Sequence, residues 1–161
     1  MRKSAIFFAA AFLASPLGAK DSLGVFSQWG AFRDADVPRC YAISTAQPDR
    51  NGKASAGYVS VGNWPRQSIR GQIHFRLSQE TPSKQVRVRI GRQTFSLEVS
   101  GRNAWAKDRK TDAAIIAALR SADTMSLGMR DKRGKRISDS YALEGAATAI
   151  DAATVACSRL K

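Results

Sequence analysis

The sequence predicts a mainly β protein, an antiparallel β-sandwich with two short α-helices, the second at the C-terminus. Three observations predict it. Several runs between residues 57 and 99 alternate apolar and polar side chains with period two, the signature of half-buried strands. Two of these runs meet across Gly91-Arg92, a two-residue turn led by glycine, in a register that puts their apolar members on one face. Only two stretches have helical spacing, so strands and helices do not alternate as a parallel α/β sheet requires.

The chain opens with Arg2 and Lys3, the apolar run Ala5-Ile6-Phe7-Phe8-Ala9-Ala10-Ala11-Phe12-Leu13-Ala14, and then Ser15, Pro16, Gly18 and Ala19. A basic start, about ten apolar residues and a small-residue exit make a secretory signal peptide over residues 1–19. A bilayer helix needs about twenty apolar residues, and Pro16 ends this one early. The expected product is a single exported domain, residues 20–161, periplasmic or secreted. Export governs how the two cysteines read, because a lone pair in an oxidising compartment forms a disulfide. Cys40 and Cys157 are expected to pair, closing a loop for which the chain-entropy estimate is about 4 to 5 kcal/mol.

Strands are expected at Val25–Phe32, Arg39–Thr45 and Gly57–Val61, separated by turn chemistry at Asp34–Pro38 and at Pro48-Asp49-Arg50-Asn51-Gly52. In Gln72-Ile73-His74-Phe75-Arg76-Leu77 the apolar members Ile73, Phe75 and Leu77 share one face, which turns His74 to water. Val86–Ile90 and Phe95–Val99 form the hairpin around Gly91-Arg92, with Ile90 opposite Gln93, Val88 opposite Phe95 and Val86 opposite Leu97. A helix over Asp112–Ser121, capped by Thr111 or Asp112, presents Ile115, Ile116 and Leu119. Met125, Leu127 and Met129 mark one face of a strand that enters the Asp131-Lys132-Arg133-Gly134-Lys135 turn. The last helix, Gly145–Leu160, is narrow and Ala-rich and presents Ala146, Ala149, Ile150, Ala153 and Cys157.

The C-terminal half, with Asp112–Leu119 as a short helix, Met125–Met129 as a strand, a basic hairpin and then Tyr141-Ala142-Leu143-Glu144-Gly145-Ala146-Ala147-Thr148-Ala149-Ile150 before Cys157, resembles the invasion-associated locus B family of exported bacterial proteins. The last segment is similar to that family's aromatic-x-Leu-x-Gly-x-x-x-Ala-hydrophobic ending with a late Cys. The resemblance covers about the last 50 residues, and Trp29 and Cys40 loosely. It departs from the pattern at Ala146, where the family is typically aromatic, and in lacking a further Cys after Trp29. It implies a periplasmic or surface-exposed β-sandwich with an immunoglobulin-like arrangement and a link to host-cell invasion. It implies no catalytic residues.

Composition narrows the function. The 161 residues carry 26 Lys and Arg against 13 Asp and Glu, with one His and two Cys. One His and two Cys cannot build the usual zinc site, no Cys-x-x-Cys is present, and no cofactor or metal is expected. The excess charge concentrates in residues 50–110 and in Arg130-Asp131-Lys132-Arg133-Gly134-Lys135-Arg136. Arg130, Lys132, Arg133, Lys135 and Arg136 on a hairpin tip form a candidate polyanion site, because clustered cations attract phosphate or sulfate and Arg holds them bidentately. Arg102, Lys107, Arg109 and Lys110 around Trp105 form a second candidate, a mix of cations and an aromatic ring that suits sugar rings or bases. The alternative for both is a solvated basic turn that maintains solubility.

Arg87 and Arg89, with Arg76 if its strand faces the same way, are expected to form a basic stripe on the outer face of the sheet, with Glu98 opposite Gln85. Such a stripe suits anionic lipid head groups or host glycans, or else a protein partner, and not a sequence-read nucleic acid, which an exported protein rarely meets. A hydrolase would have to use His74, yet no Gly-x-Ser-x-Gly elbow is present. Asp34 and Asp36, the nearest pair of carboxylates, sit in a Pro-bearing turn where Asp caps backbone amides. Trp29, Trp64 and Tyr41 are read as core or edge packing. The reading is therefore of an exported, non-enzymatic binding protein.

Overall fold

Alternation along the chain produces ten strands, and the computed structural model, which describes residues 20–34, 36–49 and 51–158, joins them into one antiparallel ladder. The strands are β1 (Asp21–Phe26), β2 (Trp29–Asp34), β3 (Arg39–Thr45), β4 (Tyr58–Trp64), β5 (Ile69–Arg76), β6 (Gln85–Ile90), β7 (Gln93–Ser100), β8 (Asn103–Ala106), β9 (Thr124–Arg130) and β10 (Arg136–Ala142). Helix α1 (Arg109–Leu119) lies between β8 and β9, and α2 (Ala146–Ser158) follows β10. Spatial order is β1-β2-β3-β4-β5-β8-β7-β6-β9-β10. The mainly antiparallel β architecture with two helices, the second C-terminal, is the one the sequence predicts. The signal peptide expected over residues 1–19 lies outside the described residues.

Three residue pairs between β5 and β8, centred on Phe75 and Ala104, join the two halves of the ladder. The ladder doubles back on itself, so that β10 comes to face the first half. The rings of Phe75 and Tyr141 meet edge to face at 6.5 Å, and Trp29 Nε1 donates to Ala142 O at 3.0 Å. Between the halves lie the fully buried Trp29, Ile73, Phe75, Leu77, Leu97 and Leu127, each an inward member of a period-two pattern. The β6–β7 hairpin has the expected register, Ile90 with Gln93, Val88 with Phe95 and Val86 with Leu97.

Helix α2 lies against β1 to β4 with Ala146, Ala149, Ile150, Ala153 and Cys157 buried, the five residues its spacing selects. Its alanines allow a close approach, and Cys157 closes a disulfide to Cys40 on β3. Gly145, at φ 85°, leads into the helix, and a Cβ there would collide with Phe26 O, so no other residue fits.

Several boundaries differ from the pattern reading. The single strand expected over Val25–Phe32 is two strands, reversed at Ser27-Gln28 with Ser27 at φ 53°. No Gly, Pro or Asn marks that turn, and apolar residues on both sides mask it. Helix α1 begins three residues earlier than its apolar spacing suggests, because the cap is Asp108, whose Oδ1 accepts from Thr111 N at 2.7 Å. Hydrogen bonding to Thr111 holds the Asp108 carboxyl below its ordinary pKa. Asp112 is buried instead: its Oδ1 accepts from Ile73 N at 2.8 Å, which ties α1 to β5, and burial raises its pKa. Strand β8 carries no signal in the sequence, since four residues with two alanines give too little alternation to register.

Candidate functional site

The basic run at residues 130–136 forms the β9–β10 hairpin, and its one acidic member builds the turn. Asp131 Oδ1 accepts from Arg133 N and Lys135 N, each at 2.9 Å, while Asp131 N donates to Lys135 O at 3.0 Å. With Asp131 folded inward, the basic side chains of the tip point out. Arg130 and Arg136 stand directly opposite each other in the register, both exposed. Like charges facing across a ladder are destabilising. Arg130 donates to Gly134 O at 2.7 Å, and Lys132 pairs with Glu80. Their mutual hydrogen bond holds Glu80 below and Lys132 above its ordinary pKa.

The same solvent face continues onto β6. Arg87 lies between Ser96 and Gly128 in the register, and Arg89 between Thr94 and Ser126. Gly128 and Ser126 face Ser138 and Ser140 in turn. This face thus has a floor of small polar residues from which Arg87, Arg89, Arg130 and Arg136 project. Among the described residues none of these four arginines, nor Arg133 or Lys135, makes an ion pair. A groove of about 1510 Å³ borders the face, between the free edge of β10 and the connection at residues 47–56.

The second sequence cluster does not come together. Arg102 is half-buried and turned inward: its Nε and Nη2 donate to Leu77 O and its Nη2 also to Ser78 O, at 2.6–3.1 Å. Lys107, Arg109 and Lys110 sit beyond the far end of β8, exposed around the start of α1, with Arg109 reaching Ser68 O at 3.5 Å. At about 3.4 Å per residue, β8 holds Arg102 roughly 13 Å or more from them. Trp105 faces outward between the two groups, and its ring lies 5.4 Å from that of His74.

His74 is on the outer face of β5, as alternation predicts, but half-buried rather than open to water. Tyr58 covers it at 5.7 Å and Trp105 on the other side, while Nε2 lies 3.0 Å from Asn103 Oδ1. Arg76 Nη1 also donates to that oxygen at 3.3 Å, so Oδ1 is an acceptor and His74 Nε2 carries the hydrogen. Burial lowers the His74 pKa, and Arg76 adds to the effect. Asp34 accepts from Val37 N and pairs with Arg39 at 3.3 Å, the turn role read from sequence. Trp29 is fully buried, whereas Trp64 and Tyr41 are half-buried on the outer face, with the Arg39 guanidinium 4.9 Å from the Tyr41 ring centre.

Arg87 and Arg89 share a face of β6 and residues 130–136 form one hairpin, but Arg76 lies on β5, with β8 and β7 between it and β6, and donates to Asn103 Oδ1, so it does not extend the stripe. The groove has no sequence signal, because which strand ends the ladder is a long-range property. No helix among the described residues is long and apolar enough to cross a membrane. No protein-family model matches the chain, and no curated protein matches it. Among solved structures, the fold is similar to that of invasion-associated protein B from Bartonella henselae. The TM-score is 0.61 at 15% identity, over 88% of this chain and 99% of that one. At this identity the likeness is one of fold.

Proposed function

We propose that the protein is an exported, non-catalytic binding protein of the cell envelope. In this reading its cationic face, Arg87, Arg89, Arg130 and Arg136 with the tip residues Lys132, Arg133 and Lys135, contacts an anionic partner such as lipid head groups or sulfated host glycans. The observation that carries it is the set of exposed arginines without carboxylate partners, two of them held face to face at a cost in stability. Glu98, the acid that β7 adds to this face, pairs with none of them among the described residues, whereas a face that only maintained solubility would intersperse acids among the bases. The Cys40–Cys157 bond and the leader-like first nineteen residues support export to an oxidising compartment. The fold it shares with an invasion-associated protein motivates a host-contact role, by analogy of fold alone.

The test is binding of the oxidised domain to lipopolysaccharide, heparin and DNA across a salt series. Beside it runs the variant in which Arg130, Lys132, Arg133, Lys135 and Arg136 become Gln. The expected result is binding to one polyanion that persists at physiological salt, and a variant that folds but binds weakly with a flatter salt dependence. Unchanged binding by the variant rejects the assignment.

A further inference from the structure

We propose that the open edge of β10 accepts an added strand from a protein partner, an extended segment whose residues alternate acidic and apolar. Among the described residues β10 ends the ladder and pairs only with β9. In an antiparallel strand the N–H and C=O of one residue point to one side and those of the next to the other. Asp131 N donates to Lys135 O and Leu143 N to Asp123 O, so the odd-numbered residues of this hairpin bond inward to its other arm. The even-numbered residues of β10 face out.

Part of that outward edge is already used. Ala142 O accepts from Trp29 Nε1 at 3.0 Å and Ser140 O from Gln47 N at 2.8 Å. Beyond Gln47 the chain turns away, closed by Asp49 N donating to Lys53 O. Among the described residues no further backbone hydrogen bond from outside the ladder reaches Ser138 or Arg136. The groove runs along this stretch, so an incoming segment would continue the line that Gln47 begins.

The walls set the occupant's chemistry, since its side chains must alternate between two faces. Outward ones meet Arg130 and Arg136, with Lys53 and Lys135 also lining the groove. The two acidic residues there are committed: Asp49 Oδ1 accepts from Asn51 N and Lys53 N, and the buried Asp139 accepts from Ser78 N. Inward ones meet Ile137, half-buried at the groove, where Met129 and Val86 also line it. Main-chain bonds give such an addition its affinity and the alternate side chains its specificity. It does not rest on the polyanion reading, because a polyanion needs the arginines and not the backbone of Ser138.

The experiment uses a synthetic peptide of about eight residues alternating Asp and Val, long enough to span β10 at about 3.3 Å per residue. Its comparison variant is Ser138→Pro, which removes one outward N–H and leaves the bonds to β9 in place, as an edge strand tolerates. The expected result is peptide binding to the wild type, an unchanged affinity for Ser138→Ala and one at least about tenfold weaker for Ser138→Pro. Heparin affinity should be equal in all three proteins. No binding by the wild type, or equal binding by Ser138→Pro, overturns the proposal. Should the proline variant not fold, the same peptide N-methylated at alternate backbone positions probes the edge of the wild-type protein instead. Loss of binding is expected there, and retained binding overturns the proposal as well.

Discussion

The two halves of the ladder treat their solvent faces in opposite ways. On the β1–β5 half and its junction with β8, three half-buried arginines are held by partners within the fold, while the exposed Arg66 and Arg70 make no ion pair among the described residues. Arg33 pairs with Asp21 at 2.6 Å, Arg39 with Asp34 and the Tyr41 ring, and Arg76 with Asn103, which His74 also contacts. The half-buried aromatic rings pack in two groups, Phe32 with Tyr41 and His74 between Tyr58 and Trp105. On the β6, β7, β9 and β10 half the outer residues are serine, threonine, glycine and arginine, with Gln85 and Glu98 at one end, and among the described residues the arginines have no carboxylate partner. The first face holds most of its polar groups within the protein, and the second is the one proposed to meet a ligand. What distinguishes them is that Arg33 and Arg39 of the first half are paired with carboxylates, whereas among the described residues Arg87, Arg89, Arg130 and Arg136 are not.

Arg102 should show the greatest loss of stability, and with it the assignment of that residue to structure is at stake. Arg102→Ala should destabilise the fold by about 1–3 kcal/mol, because it leaves two half-buried carbonyls without their charged donor. Denaturant titration measures that loss, and polyanion affinity should not change. A stable Arg102→Ala protein that binds heparin poorly would move Arg102 back among the ligand contacts.

A smaller effect separates the halves by pH. The unfolded His74 takes up its proton near its ordinary value of 6.5, and the folded one at lower pH because burial opposes the charge. Between the two the unfolded chain binds more protons, so stability rises with pH and is lost as pH falls below about 6.5. His74→Gln should flatten that part of a melting-temperature profile, by roughly 1 kcal/mol or less for a half-buried group. Binding by the arginine face should be level over the same range, since arginine does not titrate there.

Much of the fold is legible in local pattern. Period two selects the inward residues of β5, β6, β7 and β9, and the Gly91-Arg92 turn sets the β6–β7 register residue for residue. The disulfide is the pairing expected of two cysteines in a chain read as exported. What local pattern does not carry is pairing between distant segments. The four residues of β8 gain their strand identity from Phe75 and Val99 on either side, and the free edge of β10 exists only because nothing else among the described residues pairs there. Arg102 resembles its basic neighbours in sequence because a side chain's partner, here the Leu77 carbonyl, lies 25 residues away. The candidate arginines are readable one by one; their contrast with the committed cations of the other half is not.

The decisive comparison is between two variants that each remove three charges: Arg87, Arg89 and Arg130 to Gln, and Arg33, Arg39 and Arg76 to Gln. Heparin affinity is followed against salt for both and for the wild type. The first should lose affinity, and its logarithmic salt slope should fall by about two to three, roughly 0.7–0.9 per contact removed as for other polyelectrolytes. The second should keep both affinity and slope. Equal losses in the two would mean that the protein binds by net charge alone, and would contradict the assignment of binding to the arginine face of β6, β9 and β10.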